Sequence, residues 1–317
     1  MPVKLVFEPR QVVTWEQFSV SYPSRSIAVD GFCYGPPRYR EDRTVLNINH
    51  HEGCDRIATD ASCLQALHRV RMGLYKAFSK DGKPDATVYC NDCDQDVALA
   101  TYVLTHPEHA ARHKLMTLIR MENLMDMSAG LYPISKRSRV MRQLAWISRP
   151  YTEARVAGRL KDLTPEGMSD IVGKIHCRLD ATLKSKVKEV DLDTRFEVLD
   201  EFPEWVFVRE LGLEARIGMA ERGIEAFVSL VEESDGAWRY TIGRLSNTIP
   251  FPIIRLYDDL NDAEGVPDDE TDRWGGSDTI GGSPRSRMSR LPPKRIAQVV
   301  NRRLKLRRRA KEIYGRV

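Results

Sequence analysis

The chain has no apolar stretch near the ~18 residues that a membrane span needs, so no spanning segment is expected. Its start, Met1-Pro2-Val3-Lys4-Leu5-Val6-Phe7-Glu8, lacks the apolar core of a secretory signal, which predicts a cytoplasmic address. Cysteine is sparse, with six in 317 residues. With no signal, these read as free thiols rather than a disulfide framework. Internal repeats at solenoid periods are missing. So are the helix-opening G-x-G-x-x-G and the lysine-tipped phosphate loop, which removes the common nucleotide fingerprints. Cys90 and Cys93 form a lone C-x2-C. A structural zinc site needs four ligands, and no second C-x2-C or spaced histidine pair provides them.

What remains is the composition of a globular protein: 42% hydrophobic and 30% charged residues. The length fits one large or two ordinary domains. The net charge of +4 hides an asymmetry. From Arg285 to Val317 there are 13 Lys/Arg against one acid, Glu312, so this tail carries about +12 and the rest −8. A basic tail on an acidic body suggests a polyanionic partner such as nucleic acid. The alternative is a solvated helix face, or an intramolecular clasp onto the acidic stretch Asp258 to Asp272.

Patterning predicts strands at 3–7, Ile27–Asp30, Val45–Asn49 and Thr87–Cys90. Helices are predicted at Val13–Tyr22, where Thr14 offers a cap, across Ala61–Phe78, and at Val97–Leu104. Strand–helix alternation indicates an α/β layer with a parallel sheet. Pro107 to Leu199 reads as mostly helical, with breaks near Gly130–Pro133 and at Arg149-Pro150 and a helix start at Thr164-Pro165. Short strands then follow around 206–208, 226–231, 239–242 and 251–254, with a hairpin signal at Ser234-Asp235-Gly236. Asn261 to Thr271 reads as an acidic loop, and Pro293 to Tyr314 as a helix with Ile296, Val299, Val300 and Leu304 on one face. The expected class is therefore α/β, a parallel-sheet N-terminal domain with a helical connector and a smaller α+β C-terminal domain. Its expected parts are a metal-binding domain at 1–150, a connector at 151–204, a substrate-binding domain at 205–285 and a basic helix at 286–317.

Three of the predicted strands end in groups that bind divalent metals. Asp30 closes the first apolar run, His50 and His51 close the second, and Asp92, Asp94 and Asp96 follow the third. Strand ends of an open parallel sheet converge on one edge, where ligands bind. Aspartate and imidazole together there suit a metal-dependent hydrolase. Adjacent residues on a strand point to opposite sides, so both histidines reach one centre only if the backbone turns, which Gly53 allows. Three acids within five residues exceed the single one that an N-cap needs, although Asp94 or Asp96 could serve as that cap. Glu122 and Asp126 share a helix face, and Asp126 is the better further metal carboxylate; an exposed acidic face paired with Arg120 or Lys136 is equally compatible. His106, His109 and His113 read as surface histidines. Gly275 to Arg285 holds four glycines, two serines and Thr279, a composition that fits either an anion-binding loop or a linker. Arg285 could meet phosphate with its two-pronged guanidinium.

This layout resembles the DHH phosphoesterase superfamily, on the strength of Asp30, Asn49-His50-His51, the Asp-rich strand end and Gly281-Gly282-Ser283-Pro284-Arg285. The resemblance implies a metal-dependent phosphohydrolase acting on a nucleotide or short oligonucleotide. It implies two ions, usually Mn2+, with Mg2+, Fe2+ or Zn2+ as other fillings. Asp30, His50 and His51 would be catalytic; the ligands would be Asp30, His50, His51, Asp92, Asp94, Asp96 and Asp126. Gly281, Gly282, Ser283 and Arg285 would bind substrate. Expected partners are a phosphate-containing small molecule or short nucleic acid, not a membrane, with a homodimer as one assembly. Three departures stand out: Asn49 replaces the signature aspartate, Cys90 replaces the histidine of the family's first motif, and the Asp-rich motif follows the histidine pair instead of preceding it. They leave a catalytically inactive, DHH-like nucleotide or nucleic-acid binder as the alternative.

Overall fold

The computed structural model describes residues 3–51, 53–186, 188–267 and 269–314. Met1-Pro2 of the chain start and residues 315–317 of the basic tail lie outside them. Two compact units emerge: the first holds residues up to Met127 and Lys136–Leu192, the second Ser128–Ser135 and Asp193 onward.

Unit 1 has strands β1 (Val3–Phe7), β2 (Ser26–Val29), β3 (Arg38–Arg40), β4 (Val45–Ile48), β5 (Ser79–Lys80), β6 (Lys83–Pro84) and β7 (Ala86–Cys90). Its helices are α1 (Trp15–Ser21), α2 (Ser62–Arg71), α3 (Leu74–Ala77), α4 (Gln95–Thr105), α5 (His113–Met127), α6 (Arg139–Val156) and α7 (Pro165–Leu183). The main sheet runs β1-β7-β2-β4-β3; every pair is parallel except β3 with β4. All four residues of β2 and all four of β4 are buried, as in a parallel sheet covered on both faces. Because β2 lies between β7 and β4, the three strands that precede the acidic and imidazole groups are neighbours. Thr14 caps α1 through a reciprocal capping box with Gln17, as its position predicts. Gly73, with a left-handed backbone, divides the predicted helix 61–78 into α2 and α3.

The expected break at Arg149-Pro150 does not occur: α6 runs through Pro150. Proline has no N–H, so the carbonyl four residues back, on Trp146, loses its helical donor. Arg178 of α7 donates to that carbonyl instead, and its guanidinium lies over the Trp146 ring at 5.1 Å. An outside donor has replaced the missing one, and the helix continues.

Unit 2 has strands β8 (Phe196–Phe202), β9 (Trp205–Glu210), β10 (Ala226–Ser234), β11 (Ala237–Arg244), β12 (Gly275–Gly276) and β13 (Ile280–Gly282). Its helices are α8 (Ala215–Glu221), α9 (Ile253–Glu264) and α10 (Pro293–Tyr314). The sheet order is β12-β13-β11-β10-β9-β8, with only β9 and β10 parallel. Trp205, Phe207, Tyr240, Phe251, Leu256, Trp274, Ile296, Val300 and Leu304 form its core. Two predictions change here. The 251–254 strand is the start of helix α9, because Ile253, Leu256, Tyr257 and Leu260 repeat at helical spacing and are all buried. Asn261–Glu264 belongs to that helix rather than to an acidic loop, which begins only after Gly265. The helical reading to Leu199 also overran into β8, whose residues 196–199 alternate between half-buried and exposed.

Some of the tail's basic side chains and backbone donors are held within unit 2. Arg303 holds Asp259 with two nitrogens, Arg307 donates to the Pro250 carbonyl, and the Asp272 carboxylate accepts from the Ser286 and Arg287 N–H groups. The intramolecular clasp onto Asp258 to Asp272 is therefore present.

Candidate metal centre

Asp30 follows β2 in a left-handed turn, with φ of 49° at Asp30 and 82° at Gly31. His50 and His51 follow β4 by two and three residues, and Asp96 lies in the first turn of α4 after β7. Asp126 comes from the last turn of α5. Together they form two groups of close ligand atoms, Asp30–His50–His51 and His50–Asp96–Asp126. These residues could hold divalent metal ions.

The centre turns on one atom. His50 Nε2 lies 2.9 Å from Asp126 Oδ2, 3.2 Å from Asp30 Oδ1 and 3.6 Å from Asp96 Oδ2, and its ring is fully buried. None of these approaches has hydrogen-bond geometry: His50 Nε2 and Asp126 Oδ2 are both buried without a hydrogen-bond partner. Buried polar atoms are normally satisfied. Several lone pairs aimed at a common space fit a cation better than they fit one another. His51 Nε2 lies 2.7 Å from Asp30 Oδ1, in hydrogen-bond geometry. His50 and Asp30 are closed off, whereas the side chains of His51 and Asp126 are 30% and 28% exposed, so the centre opens on that side.

Electrostatics follow from this crowding. Burial alone would raise the Asp30 carboxyl, but the His51 and His50 imidazoles outweigh it and hold Asp30 well below the usual carboxylate range. Burial would lower His50, yet Asp126 and Asp30 drive it up to about 10. Asp126 is likewise pushed up by burial and then down to about 2, chiefly by Arg56 and His50. Asp94 is raised well above its ordinary value by burial and by repulsion from Asp30, Asp92, Asp96 and Asp126. Burial, with repulsion from Asp30 and Asp126, lifts Asp96 to about 6 against the opposing pull of His50. So many acids around one point favour a bound cation.

Asp92 and Asp94 belong to neither three-residue group. Asp92 Oδ1 accepts from the Cys93 N–H at 2.7 Å, and Asp94 is the N-cap of α4, accepting from the Val97 N–H at 2.9 Å. Asp96 also caps a helix, but a distant one. Its two oxygens accept from the Ser62 and Cys63 N–H groups of α2, each at 2.7 Å. All six cysteines are free thiols. His106 and His109 stack on Tyr102 and are half-buried, while His113 is exposed.

Sequence reasoning missed Arg56, which is 1% exposed. Its guanidinium lies 3.1 Å from Asp126 Oδ2, donates to the Asp126 carbonyl at 3.0 Å and lies 3.4 Å from His51 Nδ1. An arginine in a turn carries no periodic signal, so only its place five residues after His51 could have drawn notice. Ser62 was also missed; its hydroxyl lies 3.3 Å from Asp30 Oδ1.

In unit 2, Gly281 and Gly282 lie in β13 and pair with β11. A Cβ on Gly281 would overlap the Tyr257 hydroxyl and the Gly275 carbonyl, so close packing demands glycine there. The Ser283 hydroxyl accepts from the Tyr240 N–H at 3.0 Å, and Arg285 is exposed. Among the described residues no helix is long and apolar enough to cross a membrane. Comparison with family models, with curated proteins and with solved structures finds no match for the chain.

Proposed function

We propose that the chain is a metal-dependent phosphohydrolase whose centre lies at Asp30, His50, His51, Asp96 and Asp126. The observation that carries this reading is the convergence of His50 Nε2 with three carboxylates, from the end of β2, from α4 and from α5, without hydrogen-bond geometry. The DHH-like pattern of Asp30 and the histidine pair adds to it. Manganese is the proposed filling, and Asp92 and Asp94 lie in the turn just ahead of Asp96. When bound, such ions lower the pKa of a water molecule and neutralise charge on phosphate. His50, Asp96 and Asp126 would hold one ion, and Asp30 with His51 the other. Arg56 fixes the Asp126 carboxylate, and the Ser62 hydroxyl helps to orient Asp30. Substrate would enter past His51 and Asp126, the two exposed members. The proposed substrate is a nucleotide or short oligonucleotide. In unit 2 the exposed Arg285, beside Gly281, Gly282 and Ser283, is the proposed phosphate contact.

The test is hydrolysis of a dinucleotide and of bis-p-nitrophenyl phosphate with Mn2+. The double variant His50→Ala/His51→Ala should lose activity. Unchanged turnover in that variant would refute the site. The second reading, an inactive nucleotide or nucleic-acid binder, is favoured by Asn49 and Cys90. Elemental analysis separates the two, since an enzyme of this kind retains about two equivalents of metal and the binder none.

A further inference from the structure

Asn49 is fully buried between the histidine pair and the loop that follows β2. Its side-chain oxygen accepts from the His51 N–H at 3.1 Å. That is an Asx turn, in which a side chain replaces a backbone acceptor two residues on. Its side-chain nitrogen faces the other way. It donates to the Gly35 carbonyl at 2.9 Å and the Cys33 carbonyl at 3.4 Å. Asn47, two residues earlier and so on the same side of the strand, sends its own Nδ2 to Cys33, Gly35 and Pro36 carbonyls at 3.1 to 3.3 Å. The network fixes the amide orientation, because only acceptors lie on one side and a donor on the other.

We infer that Asn49 is the positioning residue that brings two successive histidines to one centre, and that this chain requires asparagine there, not aspartate. The Asx turn bends the chain directly after β4, so that His50 and His51 no longer project to opposite sides. Both rings then reach Asp30 Oδ1, at 3.2 and 2.7 Å. Aspartate would preserve that turn. It would also place a carboxylate against the Gly35 and Cys33 carbonyls, remove both donors and add a buried charge. Asn49 is thus a different solution to holding the pair, tied to the 33–36 loop, and not the remnant of a lost metal ligand. The inference rests on the centre proposed above for its functional meaning, but the lock itself does not need metal.

The experiment uses the full chain as wild type, Asn49→Asp, Asn49→Ala and Asn47→Ala. On metal-free protein, hydrogen exchange should show the His51 amide protected in wild type and at least tenfold faster in Asn49→Ala. The 33–36 segment should loosen in Asn49→Asp. With metal, titration of Mn2+ and the visible spectrum of bound Co2+ are read. Asn49→Asp should bind Mn2+ at least tenfold more weakly and shift the Co2+ spectrum, while Asn47→Ala, which keeps the turn, stays within threefold of wild type. Thermal unfolding checks that each variant is folded, and the exchange data stand if affinity is lost through instability. Equal Mn2+ affinity and spectrum in wild type and Asn49→Asp, or unchanged exchange at His51 in Asn49→Ala, overturns the inference. If wild type binds no metal but the exchange pattern holds, the proposed metal centre fails and the lock stands.

Discussion

Loading the centre with Mn2+ should stabilise unit 1. Every ligand atom belongs to unit 1, and the ligands come from the ends of β2 and β4, from α4 and from α5. A cation binding this set ties four otherwise separate segments together and relieves repulsion among Asp30, Asp94, Asp96 and Asp126. Free ion at a hundredfold excess over its Kd adds about 2.7 kcal/mol to the native state. Unit 1 has roughly 180 residues, a size at which each kcal/mol moves Tm by about 2–4 °C. The expected rise is therefore between about 5 and 10 °C, measured by circular dichroism in EDTA and then in Mn2+. The variant His50→Ala/Asp126→Ala should show no rise. A wild-type shift below about 1 °C would refute the reasoning, as would an equal shift in that variant.

Other predictions follow from single contacts. His176 is held near pKa 4 by burial, with Nε2 hydrogen-bonded to the Ala98 carbonyl at 3.0 Å. Its folded pKa lies below the unfolded value of about 6.5, so stability is full above that value and falls as pH drops toward 4, by at most about 3 kcal/mol; urea unfolding at pH 7 and pH 4.5 should show the drop, and His176→Gln should remove most of it. Gly281→Ala forces a methyl onto the Tyr257 hydroxyl and Gly275 carbonyl, and should destabilise unit 2 by about 1–3 kcal/mol in a denaturant titration. A wild-type midpoint for that variant would mean the hairpin is looser than described. Arg178→Met should orphan the Trp146 carbonyl opposite Pro150 and lose about 1–3 kcal/mol. The double variant Pro150→Ala/Arg178→Met, with the helical N–H restored, should recover most of that loss.

The parallel sheet was legible because buried strands such as Ser26–Val29 and Val45–Ile48 are mostly apolar runs closed by polar groups. Part of the candidate centre was legible too, since Asp30, His50 and His51 follow those runs, whereas Asp96 and Asp126 sit in helices. What escaped were contacts between residues far apart in sequence. Asp96 reads locally as a first-turn acid of its own helix, yet its oxygens cap α2, more than thirty residues earlier. Pro150 reads as a stop because its rescuing donor, Arg178, is on another helix. The 251–254 segment looked like a strand because four residues are too few to separate a period of two from one of 3.6. Asn49 looked like a missing charge because nothing in the sequence ties it to the carbonyls of Cys33 and Gly35.

The sharing of His50 between the two ligand groups carries a quantitative consequence. Nε2 has one lone pair to give, so it can serve one ion at a time. Once committed beside Asp96 and Asp126, it leaves the neighbouring seat with only Asp30 and His51 from the protein. In the proposed centre the two seats would then be unequal: one would keep three protein ligands and the other two, so the poorer seat would depend more on donors from outside the polypeptide.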